Sequence, residues 1–185
     1  MSRTAGRSAG DTKRHILDAA GRLFGQRGTG VSLADIADAA GVSKGGLLYH
    51  FRSKEELLIG LAHDLMAQFR AEVEHVAEDE PAGTRGRLAR AYIRVSFADA
   101  ADATGLQDYL ALAVNLMVEP GLIELSRVDA AQWREELFAD GLDASTIRMI
   151  IAATDGSYAS PLWGAVLSDD DRAALEADLL ALTRR

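Results

Sequence analysis

At 185 residues with no cysteine, the chain is long enough for one large or two small packed domains, and it excludes disulfides and thiol chemistry. The net charge of −8 argues against a nucleic-acid partner until it is divided. Residues 1–60 hold nine Lys or Arg against six Asp or Glu, a net +3, while residues 61–185 hold eleven against twenty-two, a net −11, and such asymmetry between halves is itself a nucleic-acid signal. No apolar run approaches the roughly 18 residues of a membrane span. The basic first residues lead into no apolar segment of the kind a signal peptide carries, so the expectation is a cytoplasmic protein with no membrane partner.

Residues 1–10 are rich in Gly, Ser, Ala and Arg, with nothing to bury, and read as a disordered arm. Thr12 is placed to cap a helix from Lys13 to about Gln26, with Ile16, Ala20, Leu23 and Phe24 as its apolar stripe. Gly28, Thr29 and Gly30 end it. Ser32 then caps a short helix, Leu33 to Ala40, and Gly41 supplies the left-handed backbone on which a helix stops. Val42 is apolar and plugs the angle to a second short helix, Lys44 to Tyr49, capped by Ser43. Two short helices about a glycine turn are helix-turn-helix grammar. The four stripe residues are expected to pack on Leu33, Ile36, Leu47 and Phe51 as the small core of this head.

In a helix-turn-helix, the N-terminal residues of the second helix meet base edges in the major groove. Here they are Ser43, Lys44, Gly45 and Gly46. Lys44 is a donor for guanine O6 and N7. The two glycines each cost a helix roughly 1 kcal/mol against alanine, and they let the backbone come close to DNA. Tyr49 and His50 lie one turn on as phosphate donors, and Lys54, capped by Ser53, opens the next helix at its positive dipole end. Thr29 and Ser32 are further phosphate donors by position, although each can simply cap its helix. The plainer alternative is a helical hairpin whose Lys and His are only solvated.

From Lys54 a long helix runs to about Glu78, with Gly60 in its interior as either a swivel or a site of close packing. Asp79 to Gly83 is a turn, and Thr84 is placed to cap a helix through about Ala100. A helix from Gly105 to Val118 is apolar nearly all round, as a central helix is. A less regular one follows Pro120 to about Asp140. Asp143 or Ala144 opens a helix that ends near Ser160-Pro161, and Asp169 to Asp171 begin the last. Nothing alternates with a period of two, so no sheet is expected.

Gly41 to Leu58, G-V-S-K-G-G-L-L-Y-H-F-R-S-K-E-E-L-L, resembles the DNA-binding signature of the TetR family of bacterial transcriptional repressors, and the likeness extends from about Thr12 to Leu61. The resemblance implies an all-α fold of about nine helices. Residues 11–53 then form the DNA-binding head, and residues 54–185 a ligand-binding and dimerisation body. It further implies a homodimer on double-stranded DNA with a palindromic operator, repression relieved by a small-molecule effector, and a nucleoid-associated place in a bacterial cytoplasm. A helix-turn-helix activator is the nearest rival.

The rest rests on residues. Candidates for an effector pocket are Met66, Phe69, Tyr92, Phe97, Tyr109, Asn115, Met117 and Trp133, each equally readable as core. The apolar faces of the last two helices, Ile147, Ile150, Ile151, Tyr158, Leu175 and Leu179, are candidates for a dimer interface. The acidic body favours neutral or cationic ligands. His15, His50, His63 and His75 form no metal-ligand spacing, and no phosphate loop or nucleophile motif is present, so neither cofactor, metal nor catalysis is expected. A helical enzyme or carrier with an incidental helix-turn-helix is the alternative from another class.

Overall fold

The computed structural model describes residues 8–101, 120–160 and 164–185. Among these the chain forms eight α-helices and one 3-10 turn, with no strand. They are α1 (Ala9–Arg27), the turn Gly28–Gly30, α2 (Leu33–Ala40), α3 (Lys44–His50), α4 (Lys54–Ala77), α5 (Arg87–Ala101), α6 (Pro120–Phe138), α7 (Ala144–Ala159) and α8 (Asp169–Leu182). The helix expected over 105–118 lies outside the described residues, and Tyr109, Asn115 and Met117 with it. No helix among the described residues is long and apolar enough to cross a membrane.

α1 begins earlier than expected. Its cap is Ser8, not Thr12. The Ser8 hydroxyl accepts from the Asp11 N–H at 3.1 Å, and the Asp11 carboxylate accepts from the Ser8 N–H at 3.2 Å. This reciprocal box satisfies two helix-end donors where Thr12 alone would satisfy one, so Ala9 and Gly10 leave the arm and join the helix. The same Ser-x-x-Asp box starts α2 with Ser32 and Asp35, and α8 with Ser168 and Asp171.

The described residues divide into two compact units, 8–66 with 120–126, and 67–101 with 127–160 and 164–185. α4 and α6 each contribute to both. The first unit is built on Ile16, Ala20 and Phe24 of α1, Ile36 of α2, Leu47 of α3, and Phe51, Leu57 and Leu61, all buried. Leu23 and Leu33 pack on this core half-buried. Burying each of the fully enclosed Ile, Leu and Phe side chains stabilises the fold by about 1.5–3 kcal/mol. Gly60 is part of the same arrangement. A Cβ there would lie 2.7 Å from Phe51 Cε1, so close packing under the Phe51 ring accounts for the glycine.

The second unit centres on Val73, Ala89, Ile93, Trp133, Leu137, Ile147, Ile150 and Leu179, with α5 packed on both α7 and α8. α5 starts at Arg87, and its cap does not come from Thr84, whose hydroxyl donates to the Pro81 carbonyl at 2.7 Å within the preceding turn. Asp140, just past the end of α6, supplies it instead. Its two carboxylate oxygens accept from the N–H groups of Leu88 and Ala89 at 3.2 and 2.8 Å, and its carbonyl accepts from Gly86 at 2.8 Å. Burial pushes the Asp140 carboxyl upward in pKa, opposed by those N–H groups and by Arg90. Arg90, only 4% exposed, donates through Nε to Glu80 at 2.8 Å and through its terminal nitrogens to Thr183 Oγ1 and the Arg85 carbonyl. One guanidinium thus ties the turn after α4, the start of α5 and the end of α8.

Two outcomes follow from these contacts. Gly60→Ala gains about 1 kcal/mol of helix propensity but forces the Phe51 ring to shift, at about 1–3 kcal/mol; the melting temperature should fall, and Phe51→Leu should recover part of the loss in the double variant. Glu80→Gln should cost about 1.5–3 kcal/mol at neutral pH, because a buried guanidinium loses its charged partner. Hydrogen bonding and charge from Arg90 hold Glu80 below its ordinary value of 4.5, so its contribution is complete above that pH and is lost as pH falls through the lowered value. The gap in melting temperature between wild type and Glu80→Gln should therefore close on acidification.

Candidate nucleic-acid interface

The head presents α3 by local chemistry alone. Gly41 takes φ +69°, its N–H donates to the Asp38 carbonyl at 3.1 Å, and the Val42 N–H donates to the Ala37 carbonyl at 3.0 Å. This paired closure is a Schellman turn, and Val42 packs on the core as its apolar partner. Ser43 then starts α3, its hydroxyl accepting from the Gly46 N–H at 3.0 Å, which leaves the hydroxyl proton for an outside acceptor. Ser53 does the same for α4, accepting from Glu56 N–H at 3.0 Å.

Seven residues long, α3 is held by Leu47 inside it and Phe51 just beyond, both buried. Its opposite face is open. Lys44 and Gly45 are exposed, Leu48 is 36% exposed and Tyr49 81%. The Tyr49 and His50 rings meet edge to face at 5.2 Å. A Cβ on Gly45 would come no nearer than 3.9 Å to anything, its closest neighbour being Ser43 Oγ; at Gly46 the same atom would stand 3.3 Å away. The cap explains a small residue at 46. Nothing in the fold requires one at 45.

The remaining expected DNA contacts sit nearby in sequence with differing freedom. Thr29 lies in the Gly28–Gly30 turn. The Ser32 hydroxyl accepts from Asp35 N–H and donates to the Asp35 carboxylate at 2.6 Å, so its proton is committed to the cap; those bonds hold the Asp35 carboxyl below its ordinary range. The Lys54 ammonium lies 5.7 Å from the centre of the Phe24 ring. Leu48 shares the exposed face of Lys44 and Gly45 at helical spacing, and the Lys13 ammonium stands 5.7 Å from the centre of the Phe51 ring.

In the second unit the structure brings together three of the expected pocket residues. Phe69, Tyr92 and Trp133 pack on one another with ring centres 5.2 to 5.7 Å apart, and Phe97 is buried in the same core. The Arg70 guanidinium stacks 4.1 Å from the centre of the Trp133 ring and bonds to Glu136 at 2.6 Å. Met66 belongs to the other unit. Of the residues expected at a dimer interface, Ile147 and Ile150 have no exposed surface and Leu179 has 3%. These three pack in the core of their own chain. Ile151, Tyr158 and Leu175 are half-buried. Among the described residues no group of three or more His, Cys, Asp or Glu is placed to hold a metal ion.

A helix-turn-helix head joined to a helical body is the build of a two-part transcription regulator. The sequence pattern of the bacterial regulatory proteins of the tetR family matches residues 16–61, and that of the tetracyclin repressor-like C-terminal domain matches residues 86–184. The chain belongs to the TetR family. It is 47% identical over 58 residues to the HTH-type transcriptional regulator AcrR of Shigella flexneri, a stretch covering 31% of this chain and 27% of that regulator; the chain thus spans about a quarter of that relative's length. A TetR family member from Streptomyces coelicolor superposes with a TM-score of 0.67 at 26% identity, covering 94% of this chain and 98% of that one. The multidrug binding protein EbrR, complexed with imidazole, gives 0.62 at 26% identity over 94% of this chain and 90% of its own, and has also been solved with ethidium and with malachite green.

Gly45→Ala tests whether the fold needs that glycine. The added methyl enters open space on an exposed helix, so stability should rise by up to about 1 kcal/mol, read as a melting temperature roughly 2–4 °C higher.

Proposed function

We propose that the chain is a ligand-responsive transcriptional repressor that binds a palindromic operator in double-stranded DNA as a homodimer and is released by a small-molecule effector. The observation that carries this reading is the outer face of α3. Lys44, Gly45, Leu48 and Tyr49 are exposed on a helix positioned by its other face, and Gly45 has no folding reason to be glycine. In this motif that end of the second helix meets base edges. Lys44 reads a base, Gly45 and Gly46 let the backbone approach, and Ser43, Tyr49, His50, Lys54 and Thr29 contact the phosphates. Ser32 contributes only if its proton leaves Asp35. No reaction is assigned to the chain.

The dimer forms through the outer faces of α7 and α8, where a partner has access. Met149, Ala152 and Gly156 follow helical spacing on α7, as Ala174, Ala177 and Ala181 do on α8, and all six are exposed. Small side chains let helices of two subunits approach closely. A two-fold pair of heads then spans two half-sites about one helical turn apart. The effector is a neutral or cationic organic molecule. This rests on the net −11 of residues 61–185 and on the cationic dyes held by EbrR. Its site lies in the second unit, beside the ring cluster of Phe69, Tyr92 and Trp133. It acts by favouring a body conformation that misplaces the heads.

Selection of genomic fragments by the purified protein at near-physiological salt tests the function; recovery of a shared palindrome supports it, and failure of a folded, ligand-free sample to enrich any sequence refutes it. With the operator in hand, Lys44→Ala should cost about 1–3 kcal/mol on operator and little on random DNA, whereas Lys54→Ala should weaken both alike and lower the salt slope by about 1. Gly45→Ala should bind operator less well despite its greater stability. Gly156→Arg should give a folded monomer by sedimentation velocity, since a Cβ there meets nothing within 4 Å and the position is exposed; a dimer that survives would refute the assignment of that face.

A further inference from the structure

One side chain on the outer face of α3 has no donor or acceptor to offer. Leu48 is 36% exposed, although its neighbour Leu47 is fully buried. Helical spacing sets it three residues from Gly45 and four from Lys44, on the face that they share. Gly45 has no side chain, so nothing at that position covers the isobutyl group. Among the described residues 8–66, the large apolar side chains left exposed are Leu48 and Tyr49. Tyr49 carries a hydroxyl and turns its ring against His50. Leu48 carries only methyl groups. It can bond to neither a phosphate nor a polar base edge, and the major groove offers one group that matches it, the C5-methyl of thymine.

We infer that Leu48 is a specificity-determining residue that packs against a thymine methyl in each half-site of the operator. This rests on α3 being the helix that enters DNA. Lys44 reads donors and acceptors at one end of the exposed face, and Leu48 reads a methyl one turn further on. Placing a polar base edge there would strip it of water without a partner, so the discrimination comes from both attraction and penalty.

The test uses the operator duplex recovered with wild-type protein, remade with deoxyuridine at each symmetric pair of thymines in turn. Deoxyuridine keeps the O4 acceptor and the base pairing and lacks only the methyl. Wild type should lose about fourfold in affinity per half-site at one symmetric pair, the effect of one buried methyl, and about fifteenfold with both half-sites changed. Leu48→Ala should bind the thymine and deoxyuridine duplexes equally at that pair, and Leu48→Met should restore the preference. Thermal melting checks that Leu48→Ala stays folded, as an exposed side chain predicts. A thymine preference unchanged in Leu48→Ala, or lost in Tyr49→Ala while kept in Leu48→Ala, overturns the inference. So does an operator in which no thymine pair is sensitive to the change. If no operator is recovered at all, the DNA-binding reading fails first and this one falls with it.

Discussion

The head depends on one close fit, the Phe51 ring lying over the bare Cα of Gly60. α3 is too short, and too rich in glycine, to hold a helix by its own hydrogen bonds. It exists because Leu47 and Phe51 anchor it to the core, and Phe51 reaches its place only where α4 has no side chain. The Phe51 N–H also closes the end of α3 on the Leu47 carbonyl at 2.9 Å. With the inner face fastened this way, the outer face is released from any part in folding. A glycine that the packing does not ask for, and a leucine left in water, can persist there.

The head was legible in the sequence because its determinants are local. The caps at Ser32, Ser43 and Ser53 and the turn at Gly41 each act over three to five residues, and each lies where the sequence places it. The one error there, Thr12 for Ser8, was a choice between two good caps. It is settled by Asp11, whose carboxylate accepts from the Ser8 N–H and completes the box. In the body the same logic failed at α5. Thr84 has the right chemistry to cap it, but Asp140 takes the role from the far side of α6. No pattern near residue 87 announces a cap that arrives from residue 140.

Apolar periodicity was the other limit. It states that a face is buried and is silent about what buries it. Ile147, Ile150 and Leu179 have the spacing of an interface and the surroundings of a core. Beside Met149, the exposed positions Ala152 and Gly156 of α7 and Ala174, Ala177 and Ala181 of α8 are too small to register as a hydrophobic pattern. Phe69, Tyr92 and Trp133 illustrate the same ambiguity, since aromatic side chains that would suit a ligand also suit one another.

The cap that Asp140 provides has a consequence during synthesis. The Ala89 N–H and the carboxylate that satisfies it are separated by 51 residues of chain. At about 5–20 residues per second on a ribosome, the first turn of α5 is made roughly three to ten seconds before its cap exists. Through that interval the N–H groups of Leu88 and Ala89 lack that carboxylate, and the bond from Arg90 to Thr183 waits until α8 is made, 93 residues on. The head has all its caps within a few residues of the donors they serve, so its helix starts can form as they emerge. Order in the nascent chain is thus set from the N-terminal helices, with the second unit completed last.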